Sequence, residues 1–335
     1  MNSFEYASPS SLPDALGLLK STWGSAEILA GGTDLVALMK DYVVTPSRLV
    51  NIKNIAGIGS VALTTKKELR IGALVTLDAL ARHPLVTKHY PTLALAIGDA
   101  ASPQIRNRAT LGGNLCQRPR CWYFRNGYGL LALDAKGKSL VVQGDNRYHA
   151  ILGNNGPALF VSPSTVAPTL IAYGAIVVIQ GPKGKRHVAL ESFYVTPTKK
   201  TQREHDLRPN EIVIEVRIPS SAGLTTSYYE ARQKHGFDWP IATATVAMKS
   251  NANKIQNPVV IMSHVAPTPW RSKEAEAVLA GQTLTPAVAA AAAQAAVKPA
   301  KSLGQNAYKI SVARVAVERC LLQAAGLDPL TGTAA

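Results

Sequence analysis

The chain has no apolar run approaching the ~20 residues of a membrane-spanning helix, so no membrane span is expected. The opening stretch MNSFEYASPSSLPDALGLLK lacks the basic-then-apolar order of a secretory signal. Cysteine is scarce: Cys116, Cys121 and Cys320 are too few for a disulfide framework or a four-cysteine metal site, and they suit a reducing compartment. A cytoplasmic location is therefore expected. Acidic residues are outnumbered, 21 Asp plus Glu against 36 Lys plus Arg, which leaves a net charge of +15 suited to an anionic ligand or an acidic partner surface. The basic residues are spread out, however, and no motif interleaves them with aromatics. Nucleic acid is therefore not the expected partner.

What the sequence does have is concentrated in residues 104–124, QIRNRATLGGNLCQRPRCWYF. Within it Thr110-Leu111-Gly112-Gly113-Asn114 lacks a side chain at two adjacent positions, so its backbone N–H groups can approach a ligand that a Cβ would hold away. A pyrophosphate is the natural guest. Arg106, Arg108, Arg118, Arg120 and Arg125 stand around it. A second loop of like character, Ala30-Gly31-Gly32-Thr33-Asp34, lies far upstream. Either Gly-Gly pair alone reads as an ordinary turn more readily than as a binding loop.

The length of 335 residues, 47% of them hydrophobic, allows a sizeable core divided into lobes. Ser11-Leu12-Pro13-Asp14 reads as a capped helix start, residues 26–30 as a strand delivering the first loop, 35–40 as a helical turn and 48–52 as another strand. This βαβ-like unit places the loop at the carboxyl end of a strand, where open α/β layers bind ligands. Helices are expected over 76–81 and 92–101. Strands are expected over 68–73, 158–161, 175–180 and 211–218, making a mainly antiparallel middle lobe with helical cover. Past a turn-rich boundary at 219–223, strands over 226–232, 242–249 and 258–265 alternate with helices over 272–280, 286–297 and 307–324. The last helix is amphipathic, with Ile310, Val317, Leu321 and Leu322 available for burial. His149, His187, His205, His235 and His264 lack the close helical spacing of a zinc site.

In order along almost the whole chain stand LAGGTDLVALMKD, QIRNRATLGGNLCQRPRCWYF, GDNRYHAILG, SPSTVAPTLIAYGA, EIVIEVRIP, VAPTPWR and NAYKISVARVAVERCLL. Together they resemble the flavin-binding medium subunit of the molybdenum hydroxylases. QRPRCWYF and GDNRYHAILG are most similar to the aldehyde oxidoreductase branch. The resemblance implies an α+β fold with a two-part FAD-binding region, an α/β part over 1–60 and a larger α+β part over 61–221, then a C-terminal domain over 222–335. It implies that FAD is held by Leu29, Ala30, Gly31, Gly32, Thr33, Asp34 and Leu35, by Thr110, Gly112, Gly113 and Asn114, and by Thr165. Asp34 is expected to order its loop or bind a hydroxyl, since a free carboxylate would repel a diphosphate; the bland alternative is a helix N-cap. No catalytic residue is expected. The implied partners are a molybdopterin-binding large subunit, which carries the molybdenum cofactor and oxidises substrate, and a small subunit with [2Fe–2S] clusters. Co-export with such a partner is the one route to the periplasm.

Three departures from the family pattern stand out. Thr165 occupies a position usually held by aspartate, and Glu230 one commonly held by lysine near the cofactor, which implies weaker FAD binding. Members of this branch often carry a [4Fe–4S] cluster ligated by cysteines, one at the position of Cys121, yet residues 126–142 contain no cysteine. No [4Fe–4S] cluster is expected in this chain. Two other readings compete with the FAD subunit: a degenerate flavin-free scaffold of the same kind of complex, and a free-standing flavin reductase, which no nicotinamide motif supports.

Overall fold

The computed structural model describes residues 1–234 and 238–334, and His235 lies outside the described residues. The chain begins with β1 (Glu5–Ala7), α1 (Leu12–Leu18), β2 (Ala26–Leu29), α2 (Leu35–Lys40) and β3 (Arg48–Asn51). The Ser11 hydroxyl accepts from the Asp14 N–H at 3.2 Å and Pro13 sits in the first turn, so α1 starts where the sequence signals it. The three strands pair in parallel in the order β1-β3-β2, and residues 30–34 leave the carboxyl end of β2 as the βαβ reading required. Ala26, Val50, Ile52 and Ile58 pack against Val178, Ile212 and Ile214 of the next sheet, so the small layer buttresses the larger one.

The middle of the chain runs through β4 (Val61–Leu63), β5 (Leu69–Gly72), α3 (Leu77–Ala81), α4 (Pro84–His89), α5 (Pro91–Asp99), α6 (Pro103–Arg106), α7 (Leu111–Leu115), α8 (Leu140–Gln143), α9 (Val166–Ala172), β6 (Ile176–Gly181), β7 (Gly184–Ala189), α10 (Leu190–Phe193) and β8 (Ile212–Ile218). Its five strands form an antiparallel sheet in the order β4-β5-β8-β6-β7. Leu77, Leu93, Ile97 and Leu170 from the covering helices close on Leu69, Ile71, Val177 and Val216 from the strands. Two local expectations are corrected. Residues 158–161 form no strand, because the Leu159 carbonyl accepts from Ala150 while Ser162 donates to Ala266. The second Gly-Gly pair is not a loop but the body of α7, with Thr110 as its cap.

The last part comprises β9 (Thr225–Ala231), β10 (Ala242–Asn251), β11 (Lys254–Ser263), β12 (Trp270–Arg271), α11 (Lys273–Leu279), α12 (Pro286–Ala296) and α13 (Tyr308–Ala324), with an antiparallel sheet ordered β12-β11-β10-β9. In α12, Ala289, Ala292, Ala293 and Ala296 are fully buried, so the alanine run is a packed helix. Val317, Leu321 and Leu322 of α13 are buried with Val246 and Ala244, and Ile310 packs on the same core. The apolar face that the sequence offers for burial is therefore taken up by this chain's own sheet. Ile151 and Leu152 join that core as well. Beside them the Lys309 ammonium, 1% exposed, donates to the carbonyls of Tyr148, His149 and His264 at 3.0, 3.2 and 2.8 Å. Among the described residues, no helix is long and apolar enough to cross a membrane.

Candidate flavin cleft

A cleft of about 420 Å³ opens where the first parallel sheet, α7 and the start of α9 meet. Its volume falls within the range of small-molecule and cofactor sites. All of the sequence-predicted residues except Leu29 line it: Ala30, Gly31, Gly32, Thr33, Asp34 and Leu35, Thr110, Gly112, Gly113 and Asn114, and Thr165. Leu29 ends β2 immediately before.

The four glycines do different work. An added Cβ at Gly31 would overlap the Arg108 carbonyl, and one at Gly112 would stand 2.9 Å from the Cβ of Ala73. Both are glycine so that protein segments can close on each other. Gly32 turns the first loop at φ 76°, a conformation that favours glycine. At Gly113 an added Cβ would meet only Thr110 Oγ1 at 3.0 Å, and this glycine is exposed in the cleft. The backbone donors are also unequally shared. In the second segment Leu111 and Gly112 donate to the carbonyls of Val75 and Ala73, Gly113 donates to Thr110 Oγ1 at 3.2 Å, and Asn114 donates to the Thr110 carbonyl. Those donors are spent, which corrects the expectation that both loops offer N–H groups to a phosphate. The N–H groups of residues 31–35, by contrast, donate to no group among the described residues.

Asp34 does not cap α2 with its side chain. Its carboxylate accepts from the Arg118 N–H at 2.8 Å and pairs with Arg120 at 2.7 Å and Arg125 at 2.8 Å. It thus ties the first loop to residues 118–125. Burial holds the Arg120 guanidinium down to about 10. Arg118 pairs with the buried Glu204, so three arginines that looked like phosphate ligands are held by carboxylates. Arg106 donates to the carbonyls of Ala100 and Ala101. Arg108 and Lys53 have no carboxylate partner among the described residues; the Lys53 ammonium donates to the Ala30 carbonyl at 3.3 Å, it is the backbone carbonyl of Arg108 that abuts Gly31, and neither side chain lines the cleft.

One wall of the cleft carries no signature in the sequence. Arg203 pairs with Glu27 at 2.5 Å and lies over the Trp23 ring at 3.9 Å, while His205 stacks on Phe193 at 5.6 Å. Trp23, Glu27, Arg203, His205 and Trp239 all line the cleft, and no motif marks any of them. Burial holds His205 neutral, its pKa pushed down to about 4, and pushes the lining thiol of Cys116 up to about 12. Thr165 is 4% exposed and makes no side-chain cap for α9. Glu230 is not among the lining residues; it accepts from the Tyr228 hydroxyl at 2.6 Å and pairs with Arg232. The expected repulsion of a phosphorylated ligand by Glu230 is accordingly corrected, because that charge is already balanced.

Family models match both parts of the chain. Residues 2–221 match the FAD binding domain in molybdopterin dehydrogenase, and residues 227–324 match the CO dehydrogenase flavoprotein C-terminal domain. The chain belongs to the FAD-binding medium subunits of the molybdenum hydroxylase family. It is 32% identical over 265 residues to the aldehyde oxidoreductase FAD-binding subunit PaoB of Escherichia coli K12, covering 76% of this chain and 79% of that one. It is 30% identical over 322 residues to the carbon monoxide dehydrogenase medium chain of Hydrogenophaga pseudoflava, covering 95% and 96%. A solved carbon monoxide dehydrogenase from that organism superposes with a TM-score of 0.76 at 28% identity, over 97% of this chain and 98% of that one. Membership makes the chain a flavoprotein component of an oxidoreductase. Among the described residues, no three His, Cys, Asp or Glu side chains stand together to hold a metal ion.

Proposed function

We propose that FAD lies in the cleft with its diphosphate against the free N–H groups of residues 31–35 and its chain passing over Gly113. The observation that carries this reading is the row of backbone donors at residues 31–35 with no partner among the described residues, which suits an anion. Bound there, FAD supplies the redox chemistry, and the protein supplies orientation and charge. Thr110, through its cap on Gly113, holds the floor of the cleft. Asn114 presents its amide from α7, its Oδ1 accepting from Ser164 at 2.7 Å. Asp34 acts at one remove, by fixing residues 118–125. Within a complex, the chain takes electrons from a [2Fe–2S] small subunit, which receives them from a molybdopterin-binding large subunit, and hands them to an external acceptor. The free state of Cys116, Cys121 and Cys320 supports a cytoplasmic complex, with the periplasm reached by co-export.

The test is the visible spectrum of the complex before and after denaturation. Release of stoichiometric flavin is expected; a colourless complex sinks the reading. A flavin-free scaffold rests on Thr165 alone once Glu230 is seen to be paired. Thr165→Asp discriminates, since a scaffold gains flavin and an FAD subunit changes little.

A further inference from the structure

One stretch of the cleft lining, Ala100 and Ala101, is a turn held from two directions. Helix α5 ends at Asp99, and Ala101 leaves it at φ 53°, a left-handed conformation that a Cβ disfavours. Carbonyls at the C-terminal end of a helix find no partner within it. Here three successive carbonyls are taken by guanidinium groups. Arg106, from the same segment, donates to those of Ala100 and Ala101 at 3.1 and 2.8 Å, and Arg232 donates to that of Asp99 at 2.8 Å. Arg232 stands 133 positions further along, just past β9 in the C-terminal part of the chain.

The side chains of Arg232 and Glu230 are 7% and 5% exposed and form an ion pair. Residues two apart along a strand share a face, and Glu230 accepts in turn from the Tyr228 hydroxyl at 2.6 Å. The Arg232 Nε is buried with no partner among the described residues. A cation at the surface would cap α5 without the desolvation that a buried guanidinium carries. Burial adds what a surface cap lacks, a fixed direction from one part of the chain to the other.

We propose that Arg232, held by Glu230, is a positioning residue for the cofactor: it fixes the Ala100–Ala101 wall from the C-terminal part of the chain, so flavin retention depends on a side chain that does not line the cleft. The inference rests on the placement of FAD proposed above.

For the test, the full chain is stripped of flavin and FAD is titrated back by its fluorescence, with urea midpoints and hydrogen exchange measured on the flavin-free samples. Arg232→Met strands the Glu230 charge, so it is accompanied by the double variant Glu230→Gln/Arg232→Met, which removes both charges. In each, FAD affinity should fall at least tenfold, and exchange at residues 98–100, where α5 ends, should quicken at least tenfold. Arg232→Lys, which keeps the charge and a donor, should recover most of both. The control is Arg319→Met, which takes a guanidinium from the Tyr229 hydroxyl on the same strand. It should lower the urea midpoint and leave FAD affinity within about twofold. An equal loss of FAD in Arg319→Met reduces Arg232 to general stability and overturns the proposal. So does unchanged exchange at 98–100, or unchanged affinity in the double variant while Gly113→Val loses its flavin. Flavin kept by Gly113→Val, or a parent chain that takes up none, overturns the placement of FAD instead, while the exchange result still judges the clamp.

Discussion

Gly31 packs against the carbonyl of Arg108, leaving no room for a side chain between the first loop and the segment leading into the second. The cleft is therefore closed by a backbone-to-backbone contact. Gly31→Ala must push the two segments apart, destabilising the fold by about 1–3 kcal/mol and releasing flavin. Gly113→Val separates the two effects: at this exposed position stability should change by only about 0.5 kcal/mol, while flavin content falls more than tenfold. Urea midpoints alongside released flavin check both. Unchanged flavin in the Gly113 variant shows that the cofactor lies elsewhere.

Asp34→Asn keeps the shape of the side chain and removes the charge shared by Arg120 and Arg125. Breaking a fully buried pair costs about 3–5 kcal/mol, and because these side chains are partly exposed the expected loss is nearer ~2 kcal/mol. Hydrogen exchange should speed up across residues 118–125 and leave α12 unchanged. Unaltered protection at 118–125 removes Asp34 from its ordering role.

How much of this was legible depended on distance along the chain. The first loop could be read because β2, Gly31-Gly32 and α2 are contiguous. The C-terminal helices could be read because Ser272, Thr285-Pro286 and the alanine run are local signals. The role of the arginines could not: Arg118 meets a carboxylate 86 residues away and Arg203 one 176 residues away, and no local pattern encodes such a pairing. Helix α7 was within reach, since Thr110 caps it three residues ahead of Gly113, but paired glycines argue for a turn and here tertiary contacts override them. Residues 158–161 misled because a buried apolar run reads as a strand whether or not a neighbour pairs with it.

Acid should weaken the fold in a defined window. Burial pushes His149 and His205 down to about 4 and His264 to about 3, against 6.5 when free. Between these values the unfolded chain binds more protons than the native one, so stability falls as pH drops from about 6.5 towards 4. Each histidine contributes about 1.4 kcal/mol per pH unit. Urea midpoints from pH 7 to 4.5 should show this steep decline, and His205→Phe, which keeps the ring stacked on Phe193, should flatten it. A flat profile in the unsubstituted chain contradicts the buried neutral histidines.

Lys309→Met should cost at least ~3 kcal/mol, because three buried carbonyls lose their common donor at once. Burial also pushes this ammonium down to about 7. The unfolded lysine keeps its proton to about 10.5, so the destabilisation caused by its burial should ease as pH rises from 7 towards 10. Paired unfolding curves of both chains across that range measure the difference. A Met variant as stable as the parent refutes the staple.

That same lysine gives the molecule a built-in reporter. An amine-acylating reagent meets Lys40, Lys66 and Lys183 at the surface, whereas the Lys309 nitrogen is sealed between α13 and residues 148–149. It becomes reactive only when that helix lifts from the chain segment it clasps. Its rate of acylation, read by mass spectrometry against the surface lysines, therefore times the breathing of the C-terminal helix in the intact protein, with no substitution in the sequence.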